Sequence, residues 1–459
     1  MEKRSNTVSN KYMGIKYYST NGKAPSVDFF TAILTGQAPD KGLYMPDTFP
    51  KVTKEDLTAI RGMEYFELAA FILQKYLDKE IPKKDLLEMC KSAYTFCPRF
   101  EKVTDNKFLM RLDTGPTASF KDFAAQIMSR LMRLTVKKGE KLIVLTATSG
   151  DTGSAIAHAF HNIKDIDVVI LFPINEVSNN QRKQMTTLGG NVKAVAIRGK
   201  FDHAQAMVKE AFADKELNNL KLTSANSINI ARLIPQSVYY FWAHAKLTKN
   251  IDEKITFCVP SGNFGDMMGG ILAWKMGLPI EKIIIATNAN NEVPKFFSNG
   301  TYKKIEPSIE CISNAMNVGH PSNFARLIDI FGGKMDEKGN ISKAPDLEEM
   351  KKLLYAISVD DKLTRETIHR TYEKYKVMLE PHGAVAWYGL EKYLEQNPAD
   401  SKKLCVSFET AHPAKFPEEV HKILNISPEV PASLAGLDKL KEEYETIDAD
   451  YPSLYRLLK

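Results

Sequence analysis

Apolar residues recur at helical spacing early in the chain. In EYFELAAFILQKYLDK (64–79) and KKDLLEMCKSAY (83–94) they fall on one face of a 3.6-residue period, which predicts two amphipathic helices. From about residue 100 the pattern changes. Short runs of apolar and β-branched residues are each followed by a glycine-rich or polar turn and then a helical stretch: KLIVLTATSGDTGSAIAHAF (141–160), DVVILFP then SNNQRKQMTTLG, NVKAVAIRG then FDHAQAMVKEAFAD, and KITFCVPSGNFGDMMGGILAWKMG (254–277). KIIIATNAN follows directly, and KKLCVSFETAHPAKF adds one more strand near the C-terminus. Strands alternating with helices predict right-handed βαβ units and parallel sheets. The polar segment 331–349 reads as a surface loop, and the charged tail 437–459 as a solvated helix and end piece.

The 459 residues exceed one ordinary core, so two or three domains are expected at ~100–200 residues each. The composition, 44% hydrophobic and 26% charged, is that of a globular protein. A net charge of +6 without a dense basic run argues against nucleic acid or a membrane surface as partner. No apolar run reaches the ~18 residues of a membrane span. The polar start, residues 1–12, reads as a short arm and not a secretory signal. The five cysteines form no CxxC pair, which fits reduced thiols in the cytoplasm.

Chemistry concentrates where strands end. In open parallel sheets, ligands bind beyond the carboxyl ends of the strands. SGNFGD (261–266) lies between a strand and a helix, and its glycines let several N–H groups converge on one anion beside a helix N-terminus. It is neither a Walker A loop nor a GxGxxG fingerprint. ATSGDTGSA (147–155) repeats the setting, with hydroxyls from Thr148, Ser149 and Thr152; helix capping by Ser149 or Asp151 is the plain alternative. Thr410 would end a buried strand with its hydroxyl at the loop mouth. Asn226, Ser227 and Arg232 sit close together, and the Arg232 fork matches carboxylate or phosphate. In GPTASFKDF (115–123), Lys121 stands in the first turn of a helix whose apolar face is Phe120, Phe123, Ala124, Ile127, Met128 and Leu131. A cation there opposes the helix dipole. The same potential, with burial, favours a neutral, nucleophilic amine able to form a Schiff base. A cofactor carrying both a phosphate and an aldehyde is pyridoxal 5′-phosphate.

Taken together in this order, GPTASFKDF (115–123), TATSGDTGSAIAHAF (146–160), NSINIARL (226–233), VPSGNFGD (259–266), GHPSNFARL (319–327) and TAHPAKF (410–416), with YYSTNGKAPSVDFFTAILTGQAPDKGLYMP at 17–46, resemble the threonine synthase family over residues 14–425. The resemblance implies an α/β fold of type II (tryptophan synthase β-like). Two doubly wound parallel-sheet domains would hold the site between them, behind an N-terminal segment. The domains expected are 13–100, then 101–134 with 236–459 as the large cofactor domain, and 135–235 as the small one. The implied enzyme is a lyase of the last step of threonine biosynthesis. It would convert O-phospho-L-homoserine and water to L-threonine and phosphate, as a monomer or homodimer whose small domain closes over the site. Lys121 would bind the cofactor covalently. Gly262, Asn263, Phe264 and Gly265, with Asp266, would hold its phosphate, and Thr410 would face the pyridine nitrogen. Thr148, Ser149, Asp151 and Thr152 would meet the substrate carboxylate and the cofactor ring, and Asn226, Ser227 and Arg232 the substrate phosphate. The chain departs from the family at Thr114, where many members have His, and at Ala325, where many have Glu; the role of His382 is open. The rival within the fold is a phospho-lyase that eliminates phosphate without making threonine.

Overall fold

A computed structural model describes residues 14–148 and 150–459; the arm at 1–12 and the candidate Ser149 lie outside the described residues. Two sheets carry the site. The larger has six strands in the order Leu354–Ser358, Ile280–Thr287, Ile255–Pro260, Leu404–Glu409, Lys107–Arg111 and Arg99–Thr104. All neighbours are parallel except the last, an antiparallel hairpin. The second has five parallel strands in the order Glu445–Asp448, Val192–Arg198, Ile166–Pro173, Leu142–Ala147 and Lys221–Thr223. Ile255–Pro260 and Leu404–Glu409 are buried along their whole length, as strands with helices on both faces must be. Helix Pro381–Gln396 packs on the large sheet, and helix Asp122–Arg133 packs on helices Asp151–Phe160 and Ile230–Gln236.

The two amphipathic helices predicted early form at Tyr65–Leu77 and Lys83–Ala93 and pack against each other. Two polar segments contain more structure than their composition suggests. Within 331–349, Lys334–Met335 pairs with Ile341–Lys343 and a helix begins at Leu347. Buried Met335 anchors this hairpin, so the segment is not a plain loop. The tail is not merely a solvated end. Glu445–Asp448 extends the second sheet beside Val195–Arg198, and helix Tyr451–Leu458 packs on helix Phe201–Ala213 with Leu454 fully buried. The charged face of an edge strand hides it from a reading based on hydropathy. On this pairing we propose that 445–459 belongs with the 135–235 unit and not with 236–459. A boundary at residue 100 also cuts the hairpin strand Arg99–Thr104. Among the described residues, no helix is long and apolar enough to cross a membrane.

Candidate active site

Three neighbouring strands of the large sheet deliver the chemistry to one edge. Lys107–Arg111 runs toward the Lys121 loop, Leu404–Glu409 ends at Thr410, and Ile255–Pro260 ends at Ser261. The lysine loop is laced to the strand end beside it: the Phe120 N–H donates to Thr410 O (2.9 Å) and the His412 N–H to Ala118 O (3.1 Å). Asp122 folds back on the loop and accepts from the Thr117 N–H (2.8 Å) and hydroxyl (2.7 Å). A Cβ at Gly115 would come within 2.4 Å of the Asp122 carboxylate, so a side chain there would push Asp122 off these bonds. Lys121 itself is the N-cap residue of helix Asp122–Arg133.

The Lys121 side chain is 12% exposed and lies 3.5 Å from Asp151 Oδ2. Burial holds its ammonium below the ordinary lysine value; Asp151 opposes this, while Lys415 and Arg232 reinforce it. Burial alone would raise the Asp151 carboxyl, but Lys415 and Lys121 beside it hold it well below the usual carboxylate range. Lys415 Nζ is 2.7 Å from Asp151 Oδ1 and fully buried, and the Gln181 amide donates to the same oxygen (2.9 Å). Thr148 is committed to its own loop: its hydroxyl oxygen accepts from the Gly150 N–H (3.0 Å) and the Gly153 N–H (2.8 Å). The N-cap residue of helix Asp151–Phe160 is Gly150, and Thr148 meets the helix through the first-turn Gly153 N–H. Thr152 lies half-buried in the first turn of that helix.

The second cradle opens helix Gly265–Met276. Phe264 adopts a left-handed backbone (φ 61°, ψ 15°), and among the described residues no side chain caps the helix N-terminus. Its first-turn N–H groups are therefore left for a ligand. At Gly262 a Cβ would sit 2.8 Å from Met316 Cα and 3.0 Å from Ala315 O. Asn263 ties this loop to the Asn226–Arg232 loop through its amide to Ser227 Oγ, and its Oδ1 accepts from the Ser322 N–H. Asp266 points away into the core, where it accepts from the Tyr239 and Tyr240 hydroxyls; burial pushes its carboxyl up to about 7 against those two bonds. Arg232 is buried and donates one bond, to Ala225 O (2.8 Å). Its Nε and the neighbouring Asn226 Oδ1 have no partner among the described residues. Behind the strand end, the Thr410 hydroxyl lies 3.4 Å from Glu380, which also accepts from His382 Nδ1, while His382 Nε2 accepts from the Ala315 N–H (3.1 Å). Of the departures, Thr114 donates to Cys97 O (2.8 Å) and Ala325 is buried against the core.

Lys121 lies against Asp151, its loop is bonded to Thr410, and Asn263 joins the glycine loop to Ser227, whereas Asp266 faces the core and Thr148 serves its own loop; the first group fits a phosphate-bearing aldehyde. Among the described residues, the fitting features are a helix N-terminus without a side-chain cap, a loop with a buried arginine and unpartnered polar atoms tied to it through Asn263, and a neutral-leaning lysine. Lys415, Gln181, Asn323 and Arg326 escaped the sequence reading. Lys415 lies in TAHPAKF, and Asn323 and Arg326 in PSNFARL, but nothing local distinguishes a buried lysine or arginine from a solvated one. Arg326 donates to Tyr44 O and Ile228 O, and Asn323 to Asn263 O, so the two clamp the N-terminal segment to both loops.

Three family models match in succession: threonine synthase N terminus over 16–94, pyridoxal-phosphate dependent enzyme over 90–409, and threonine synthase C-terminal over 383–456. The chain is 37% identical over 446 residues to the threonine synthase of Escherichia coli K12, covering 97% of this chain and 99% of that one. It is 38% identical over 422 residues to that of Buchnera aphidicola from Acyrthosiphon pisum (92% and 94%). The crystal structure of pyridoxal-phosphate-bound threonine synthase from Brucella melitensis superposes with a TM-score of 0.90 at 35% identity over 97% of this chain and 99% of that one. The yeast threonine synthase superposes with 0.87 at 31% identity (96% and 98%). A tomato threonine deaminase at 19% identity and TM-score 0.54 shares the fold. With these matches spanning nearly its whole length, the chain belongs to the threonine synthase family of fold type II pyridoxal-phosphate-dependent enzymes.

Proposed function

We propose that the chain converts O-phospho-L-homoserine and water to L-threonine and phosphate, with Lys121 as covalent anchor and proton carrier. The observation that carries the residue assignment is Lys121 itself: a buried amine 3.5 Å from Asp151, which burial first, and then Lys415 and Arg232, bias toward its neutral form. The main-chain N–H groups from Gly262 to Asp266 would hold the cofactor phosphate, and Thr410 would face the far edge of its ring. Pyridoxal phosphate, when bound, supplies the electron sink that acidifies the substrate carbons. The N-terminus of helix Asp151–Phe160, with Ser149 and Thr152, receives the substrate carboxylate, while Thr148 shapes that loop. Arg232, Asn226 and Ser227 hold the substrate phosphate. Lys121 would take protons from Cα and Cβ and deliver protons to Cγ and back to Cα, as base and acid. The Cγ–O bond breaks and phosphate departs toward Arg232, Cγ accepts a proton and becomes the methyl carbon, and water gives its OH to Cβ and releases its other proton. Closure of the 135–235 unit would keep bulk water out before that addition. The five free cysteines support a reducing compartment, the cytoplasm.

Two measurements test this. Protein reconstituted with pyridoxal 5′-phosphate should absorb near the visible edge, and Lys121→Ala should abolish that band; a colourless wild type overturns the reading. Incubation with O-phosphohomoserine should yield threonine and phosphate; 2-oxobutyrate without threonine would assign the rival lyase activity instead.

A further inference from the structure

The loop assigned to the substrate carboxylate begins its helix with an acid. Asp151 suits the helix dipole. It is also buried, ionised and beside the place where a second carboxylate must bind, a repulsion that low dielectric magnifies. Two cations answer it. Lys121 touches Oδ2 at 3.5 Å, but the proposed chemistry requires Lys121 to become neutral and leave. Lys415 touches Oδ1 at 2.7 Å, and its second bond, to Thr117 O (2.9 Å), keeps it in place. The surrounding amides fix this geometry: Gln184 donates to Thr117 O (3.1 Å), and Asn180 donates to Ala414 O (3.1 Å), the residue before Lys415.

Resting on the function proposed above, we infer that Lys415 is a positioning residue, the permanent counter-ion of Asp151 that keeps the N-terminus of helix Asp151–Phe160 receptive to the substrate carboxylate while Lys121 cycles between charged and neutral forms. Without Lys415, Asp151 would lose its nearest cation and either repel the substrate or draw Lys121 into a tighter pair. The dependence runs through one charge, so removing that charge should remove the need for Lys415.

The test is a double-mutant cycle on the full-length holoenzyme with Lys415→Met, Asp151→Asn and both together. Lys415→Met should raise KM for O-phosphohomoserine at least tenfold and by more than it lowers kcat. In the Asp151→Asn background the same change should move KM less than threefold. Thermal unfolding of the cofactor-free proteins gives an independent reading: Lys415→Met should lower Tm in the wild-type background and little in Asp151→Asn. Equal KM effects in the two backgrounds overturn the inference, as does loss of folded protein on Lys415→Met in both. Failure of the wild type to bind cofactor or turn over substrate would instead overturn the proposed function, and the coupling in the cofactor-free melts would still report on the ion pair.

Discussion

Arg232 should be worth more to substrate binding than to folding. It is buried, has no carboxylate within salt-bridge distance among the described residues, and burial lowers its guanidinium to about 10. One bond goes to Ala225 O, and Nε is orphaned. A cation held this way is a cost to the empty fold, which an anion would relieve. Hydrogen bonds to charged groups contribute ~1.5–3 kcal/mol each. Two further bonds to a bound phosphate give about 3–6 kcal/mol, and a glutamine in place of Arg232 recovers part of one. We take a net loss of about 3 kcal/mol, which at ~1.4 kcal/mol per decade is roughly two decades in KM. Arg232→Lys keeps the charge without the fork and should lose about one decade. The assay is steady-state phosphate release against O-phosphohomoserine concentration, with inorganic phosphate as product inhibitor. Both KM and the phosphate inhibition constant should rise in parallel. The ligand-free stability of Arg232→Gln should stay within ~1 kcal/mol of wild type, because the lost bond to Ala225 offsets removal of a buried charge. A variant that melts several kcal/mol earlier while keeping KM and phosphate inhibition within threefold of wild type would refute the assignment and make Arg232 a structural residue.

Arg326 should behave oppositely. Its guanidinium is satisfied by Tyr44 O, Ile228 O and Asn323 Oδ1, so Arg326→Met strands buried acceptors at ~1 kcal/mol or more each and should cost about 3 kcal/mol or more in urea unfolding. Gly262→Ala places a methyl group against main chain at Met316 and Ala315, which cannot rotate away; overpacking of ~1–3 kcal/mol should weaken pyridoxal-phosphate affinity about tenfold in a spectral titration. Asp266 gives a pH signature. Its folded pKa of about 7 lies above the unfolded ~3.9, so the folded state holds the extra proton in between and wild-type stability falls as pH rises from about 4 to about 7. Asp266→Asn removes that fall. Its stability relative to wild type should grow over the same window by at most ~4 kcal/mol at ~1.36 kcal/mol per unit, and parallel urea-unfolding curves from pH 4.5 to 8 would count against it.

Much of this site is legible because parallel sheets advertise it. A buried strand followed by Gly-rich residues and a helix marks a carboxyl edge whatever its ligand, and this marked SGNFGD, ATSGDTGSA and ETAHP. Periodicity also placed Lys121 at a helix start, where the structure has it. The sequence could not show which polar side chains the fold uses for itself. Thr148 resembles its neighbouring hydroxyls until the Gly150 and Gly153 N–H groups are seen converging on it. The strand at Glu445–Asp448 carries no apolar alternation, because as an exposed edge strand it leaves every residue but the half-buried Ile447 to solvent.

Lys415 shows the harder limit. It lies 294 residues from Lys121 in sequence, yet both ammonium groups meet the carboxylate of one aspartate. Each partner comes from a different part of the topology: Lys121 follows a large-sheet strand, Lys415 follows the strand beside it, and Asp151 begins a helix after a strand of the second sheet. Strand order alone brings the two lysines together, and only the docking of the sheets brings the acid to them. A carboxylate placed this way couples the position of the second sheet to the charge on Lys121. When Lys121 gives up its proton, Asp151 loses one of its two cations, and the pair with Lys415 is the one that remains to hold it.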